Sequence, residues 1–128
     1  MALTITVYTQ SCIRISCDKG VVYFDPFHMK EAPHDADFIL VTHDHFDHFS
    51  PEDIEKIAKS ETILIVPENM LKKAGEVQHL VRKIEIVNAG QKRVIDGLEL
   101  ETIPAYNLLK PFHSKSAGWV GYILITGK

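Results

Sequence analysis

Apolar and polar residues alternate along Leu3-Thr4-Ile5-Thr6-Val7-Tyr8, the period of a half-buried strand. Two further runs, Cys12-Ile13-Arg14-Ile15-Ser16 and Val21-Val22-Tyr23-Phe24, read as strands separated by the turn Asp18-Lys19-Gly20. The alternation then gives way to unbroken apolar runs, Phe38-Ile39-Leu40-Val41 and Ile63-Leu64-Ile65-Val66. Runs of this kind predict strands buried on both faces.

Between those two runs lies a well-signalled helix. Ser50 can cap it, Pro51 suits its first position, and Glu52 and Asp53 favour the positive end of its dipole. Ile54, Ile57 and Ala58 give it a single apolar face. A second, shorter helix is predicted over residues 67–74, stopped by Gly75. Residues 84–87, 94–95 and 98–103 read as strands, with Asp96-Gly97 turning between the last two. A loop over 104–118 leads to a final strand over 119–125. Strands interleaved with helices, followed by a run of strands, predict an α/β fold in which helices pack on a mixed sheet.

At 128 residues the chain is expected to form one domain spanning 1–128. A formal charge of −3 provides no broad basic field, which speaks against general binding to nucleic acid or anionic membrane. No stretch approaches the length of a membrane span, and Met1-Ala2-Leu3-Thr4 does not open a secretory signal, so the expected location is the cytoplasm. The two cysteines, Cys12 and Cys17, are then expected to remain buried thiols, with a disulfide or metal ligation as the alternatives.

The chemistry concentrates in Thr42-His43-Asp44-His45-Phe46-Asp47-His48-Phe49-Ser50, where three histidines and two aspartates fall within six positions. Imidazole nitrogen and carboxylate oxygen suit zinc, manganese or iron(II). Extended backbone would turn His43 and His45 to the same side, able to grip one ion. Asp47 and His48 follow, placed for a second ion or its water, and Asp47 can take a proton from that water. A merely polar, helix-capping loop would account for one His-x-His pair. It does not account for this density directly after a buried strand. Asp25, before Pro26 at a strand end, is expected to serve structure, with support of the site as the alternative, while His28, His34 and His79 are expected on the surface.

His43-x-His45-x-Asp47-His48 resembles the signature of the metallo-β-lactamase superfamily. Ser11-Cys12-Ile13-Arg14-Ile15, Tyr23-Phe24-Asp25-Pro26-Phe27 and Asp37-Phe38-Ile39-Leu40-Val41-Thr42-His43 are similar to its branch of small cytoplasmic hydrolases related to ascorbate-phosphate lactonases. So are Ile103-Pro104-Ala105-Tyr106-Asn107, Pro111-Phe112-His113 and Gly118-Trp119-Val120-Gly121-Tyr122. The resemblance implies the N-terminal half of an αββα sandwich. His43, His45 and His113 would hold a first ion, and Asp47 and His48 a second. Zinc is the first expectation, then manganese or iron(II), one or two ions in all. The implied reaction is hydrolysis of a small-molecule ester, lactone, amide or phosphodiester by a metal-activated water.

Two departures qualify it. Gln10 stands where many relatives have histidine, and the chain ends at Gly127-Lys128, before the bridging aspartate and last histidine of those relatives. A homo-oligomer or a missing C-terminal partner would then complete the site and cover an apolar sheet face. A catalytically silent metal-binding fragment and, more distantly, a nuclease are the other expectations. The lysines at 56, 59, 72, 73 and 83 are too dispersed to form an evident basic stripe.

Overall fold

The apolar runs that predict doubly buried strands become the middle of a sheet because both their faces find apolar partners. In the computed structural model, which describes residues 4–7, 13–26, 30–41, 50–104 and 120–125, six strands form this sheet. They are β1 (Thr4–Val7), β2 (Ile13–Cys17), β3 (Gly20–Phe24), β4 (Phe38–Leu40), β5 (Ile63–Pro67) and β6 (Lys83–Val87), and their spatial order is their chain order. The first two pairings are antiparallel, whereas β3, β4, β5 and β6 run parallel, so the sheet is mixed as expected. A second, antiparallel sheet joins β7 (Lys92–Ile95), β8 (Leu98–Pro104) and β9 (Val120–Ile125).

Period-two alternation divides the core. From the parallel strands, Tyr23, Ile39, Val41, Leu64 and Val66 meet Ile54, Ile57 and Ala58 of the helical layer. Their sequence neighbours Val22, Phe38, Leu40, Ile63 and Ile65 turn the other way and meet Ile95, Leu98 and Leu100 of the second sheet. The described residues thus form an αββ stack, in keeping with the N-terminal half of an αββα sandwich.

Helix α1 (Pro51–Ile57) starts where its sequence predicts, with the Ser50 hydroxyl accepting from the Asp53 amide at 3.3 Å. Such a cap contributes about 1 kcal/mol. The second helix departs from expectation. Glu68–Met70 is a 3₁₀ turn, α2 covers only Leu71–Ala74, and the chain continues as 3₁₀ from Gly75 to Leu80. The α-helix ends at Ala74 with Gly75 as its cap, as expected, but Gly75 has ordinary right-handed angles (φ −58, ψ −23) and its amide bonds back to Leu71 and Lys73, so the chain goes on turning. Buried Val77 then anchors the tighter turn against the sheet.

Gly20, by contrast, needs to be glycine. It has φ +123, and a Cβ there would fall against the Asp37 carboxylate. That carboxylate accepts from the Val21 amide at 2.8 Å and pairs with Lys59 at 3.0 Å. The two sheets are also tied at their edge, where Arg93 of β7 donates to the Ile86 carbonyl at 2.9 Å and to Glu85 at 3.2 Å. The outward face of the second sheet carries Lys92, Val94, Glu99 and Glu101 among the described side chains, of which Val94 is an exposed large apolar residue. No helix among the described residues is long and apolar enough to cross a membrane.

Candidate metal centre

The donor-rich segment is fixed at two points that the structure describes. At its start, β4 ends at Leu40 and Val41 follows, both with no exposed surface. At its end, Ser50 caps α1. His43, His45, Asp47 and His48 lie between these points, outside the described residues, as does His113. Among the described residues no group of three His, Cys, Asp or Glu could hold a metal ion. The described residues that support this segment are Val41 and Ser50.

Those supports are informative. β4 lies between β3 and β5, parallel to both, so the chain passes from Val41 into the donor segment at the carboxyl end of three parallel strands. In open α/β sheets this is the end where ligand-binding crevices form. Two main-chain hydrogen bonds and one from a side chain hold the exit. The Val41 amide donates to the Ile65 carbonyl at 2.9 Å, and the Asp25 amide donates to the Leu40 carbonyl at 2.9 Å. The Tyr122 hydroxyl donates to the Val41 carbonyl at 2.8 Å.

Asp25 is 2% exposed and has a left-handed backbone (φ 47), uncommon for a residue other than glycine. Its amide bonds to the end of β4, a structural role as expected. The Tyr122 side chain is only partly buried as a whole, yet its hydroxyl lies inward between the sheets. Burial there raises its pKa well above the ordinary phenol value, and the nearby negative charge of Asp25 adds to the effect. Sequence reasoning did not find this role for Tyr122. The available signal was the alternation of β9, which turns Tyr122 and Leu124 toward the first sheet.

The remaining candidates divide clearly. Cys17 is a buried free thiol 3.6 Å from the Gly20 carbonyl, as expected, while Cys12 lies outside the described residues. His34 and His79 are exposed, as expected, and His28 lies outside the described residues. His34 nonetheless has one ring nitrogen 3.0 Å from the Ala58 carbonyl. Tyr106, Asn107, Lys110, Phe112 and Lys115 also lie outside them.

A shallow depression of about 460 Å³ opens at the opposite, amino end of β4 and β5, among Lys19, Asp37, Glu61, Arg82 and Asp96. Its charges largely satisfy one another: Asp37 pairs with Lys59, and Asp96 with Arg82 and Lys83.

Several solved structures share this architecture. A proposed metal-dependent hydrolase from Parabacteroides distasonis is 27% identical, with a TM-score of 0.71 over 97% of this chain and 56% of that one. Another, from Veillonella parvula, is 17% identical, with a TM-score of 0.64 over 98% of this chain and 60% of that one. CmlA, a diiron beta-hydroxylase from Streptomyces venezuelae, is 15% identical, with a TM-score of 0.70 over 98% of this chain and 28% of that one. The latter two show the fold alone. The chain thus spans between half and two thirds of the length of the two hydrolase neighbours. None of the curated proteins compared with it matches. Residues 4–126 match the Beta-lactamase superfamily domain, and the chain, with its donor segment leaving the carboxyl end of a mixed sheet, belongs to that superfamily.

Proposed function

We propose that the chain is a metal-dependent hydrolase domain in which His43, His45, Asp47, His48 and His113 hold one or two divalent ions. The observation behind this reading is the exit at Val41, where a segment dense in imidazole and carboxylate leaves the carboxyl end of the parallel strands. Nitrogen and carboxylate oxygen donors fit zinc first, then manganese or iron(II). When bound, the ion would supply an acidified water and polarise a carbonyl or phosphoryl oxygen. Asp47 would orient the water and accept its proton, and His113 would complete the imidazole set. The substrate class is a small ester, lactone, amide or phosphodiester.

Support for hydrolysis comes from the superfamily and from the two neighbours proposed as metal-dependent hydrolases. Because the chain spans only 56% and 60% of those neighbours, completion of the site by a second copy or a separate partner belongs to the same proposal. So does residence in the cytoplasm. The formal charge of −3 speaks against a nuclease.

Metal per chain, measured by elemental analysis alongside mass in solution and a His45→Ala control, tests the reading. Bound metal that is lost in His45→Ala, with hydrolysis of at least one member of an ester, lactone, amide and phosphodiester panel, is the expected result. Metal retention without turnover would favour a binding domain that has lost catalysis. A folded chain that retains no metal would overturn the proposal.

A further inference from the structure

The first residue of the donor segment is joined to a peptide that is held from both sheets. Val41 is wholly buried, so its carbonyl has no access to water and needs a protein donor. Among the described residues of the first sheet, none is seen to supply one. That sheet takes the Val41 amide through Ile65 and the preceding carbonyl through Asp25. The donor comes from the second sheet, from a residue 81 positions away: the Tyr122 hydroxyl, at 2.8 Å.

The Ile65 carbonyl is 3.5 Å from the same oxygen. A phenol has one proton to give, and the shorter contact takes it. The ring that carries the hydroxyl is itself oriented. It meets Phe24 edge-on, with centroids 6.2 Å apart and planes at 61°. Phe24 ends β3, directly before Asp25, so one corner of the molecule fixes ring, hydroxyl and peptide together.

We propose that Tyr122 is a positioning residue for the donor segment, its hydroxyl holding the Val41 peptide from which the chain continues to His43 and His45. The inference rests on the metal-binding reading above. Metal sites lose affinity steeply when their ligands shift by fractions of an ångström, and groups that orient ligands typically account for about 10- to 100-fold in affinity. A purely structural tyrosine would instead cost stability and leave the affinity of the folded chain unchanged.

Titration of the full chain with Co²⁺, followed by visible absorption and calorimetry, separates these roles. The variants are Tyr122→Phe, His45→Ala and Thr62→Val. Thr62→Val removes a buried hydroxyl at the opposite end of the sheet, where Thr62 donates to the Ala36 carbonyl at 2.6 Å. The expected result is roughly 10-fold weaker Co²⁺ binding and an altered visible spectrum in Tyr122→Phe. Thr62→Val should match the parent in both respects, and circular dichroism should show both variants folded. Equal affinity and an unchanged spectrum in Tyr122→Phe would overturn the proposal, as would an equal loss in Thr62→Val. A parent chain that binds no Co²⁺, or binds it equally well in His45→Ala, would instead overturn the metal-binding reading beneath it.

Discussion

The two ends of β4 are built differently. At the amino end, Asp37, Lys59, Arg82, Lys83 and Asp96 neutralise one another around a shallow depression, and the buried Thr62 hydroxyl accepts from the Lys59 amide and donates to the Ala36 carbonyl. Every device there closes the fold on itself. At the carboxyl end, Asp25 and Tyr122 donate to the Leu40 and Val41 carbonyls and the Ile65 carbonyl accepts from the Val41 amide, all just where the donor-rich segment begins. The difference teaches that the charges of the amino end are taken up in holding the fold, whereas at the carboxyl end main chain is held at the point where the proposed metal-binding segment departs.

The largest expected effect removes what both ends share. Leu40 is wholly buried between the sheets, and Leu40→Ala should cost about 2–5 kcal/mol in urea unfolding, through lost transfer energy and a cavity. A smaller loss would mean that the sheets can close over the gap.

Thr62→Val sharpens the contrast. It strands the Lys59 amide and the Ala36 carbonyl at the amino end, and should cost about 1–3 kcal/mol with no change in metal affinity. A change in metal affinity would show that the two ends are coupled.

The third effect belongs to the carboxyl end and to alkaline pH. The folded pKa of Tyr122 is raised above its ordinary value of 10.0, first by burial and then by the charge of Asp25. An acid with a raised folded pKa holds its proton more tightly when folded. Its contribution to stability is therefore complete below pH 10 and declines as pH rises from there through the folded pKa. Guanidinium unfolding at a series of pH values should show a shallower alkaline decline for Tyr122→Phe than for the parent chain. Parallel curves would remove Tyr122 from the account.

The smallest effect is at the amino-end surface. Arg82 and Asp96 are exposed, so Arg82→Ala should change stability by less than about 1 kcal/mol, and by less still in high salt.

How much of this was legible in the sequence follows from the range of the interactions. Residues 38–41 and 63–66 declared doubly buried strands because their apolar runs are local, and Ser50-Pro51 declared a helix start because a cap is a contact over three residues. Gly75 marked the end of the α-helix but not the end of the turning chain, because glycine permits a left-handed stop without requiring one. Packing of Val77 against the sheet kept the backbone right-handed. Asp25 could be seen at a strand end, but its burial beside β4 depends on a parallel pairing that no local pattern encodes. For the candidate site, the donors themselves were legible from their density. The Tyr122 contact was not, since it depends on the stacking of two sheets.

That contact also orders events in time. Strands β1 to β6 each pair with their neighbour in the chain, so the first sheet can assemble in sequence through comparatively short loop closures. The contact between Tyr122 and Val41 spans 81 residues and needs the second sheet docked on the first. Tyr122→Phe should then accelerate unfolding and leave the folding rate nearly unchanged in stopped-flow experiments, the behaviour of a late contact. The motif would acquire its anchor only after the rest of the molecule is in place, so a half-folded chain would present its histidines without holding an ion firmly.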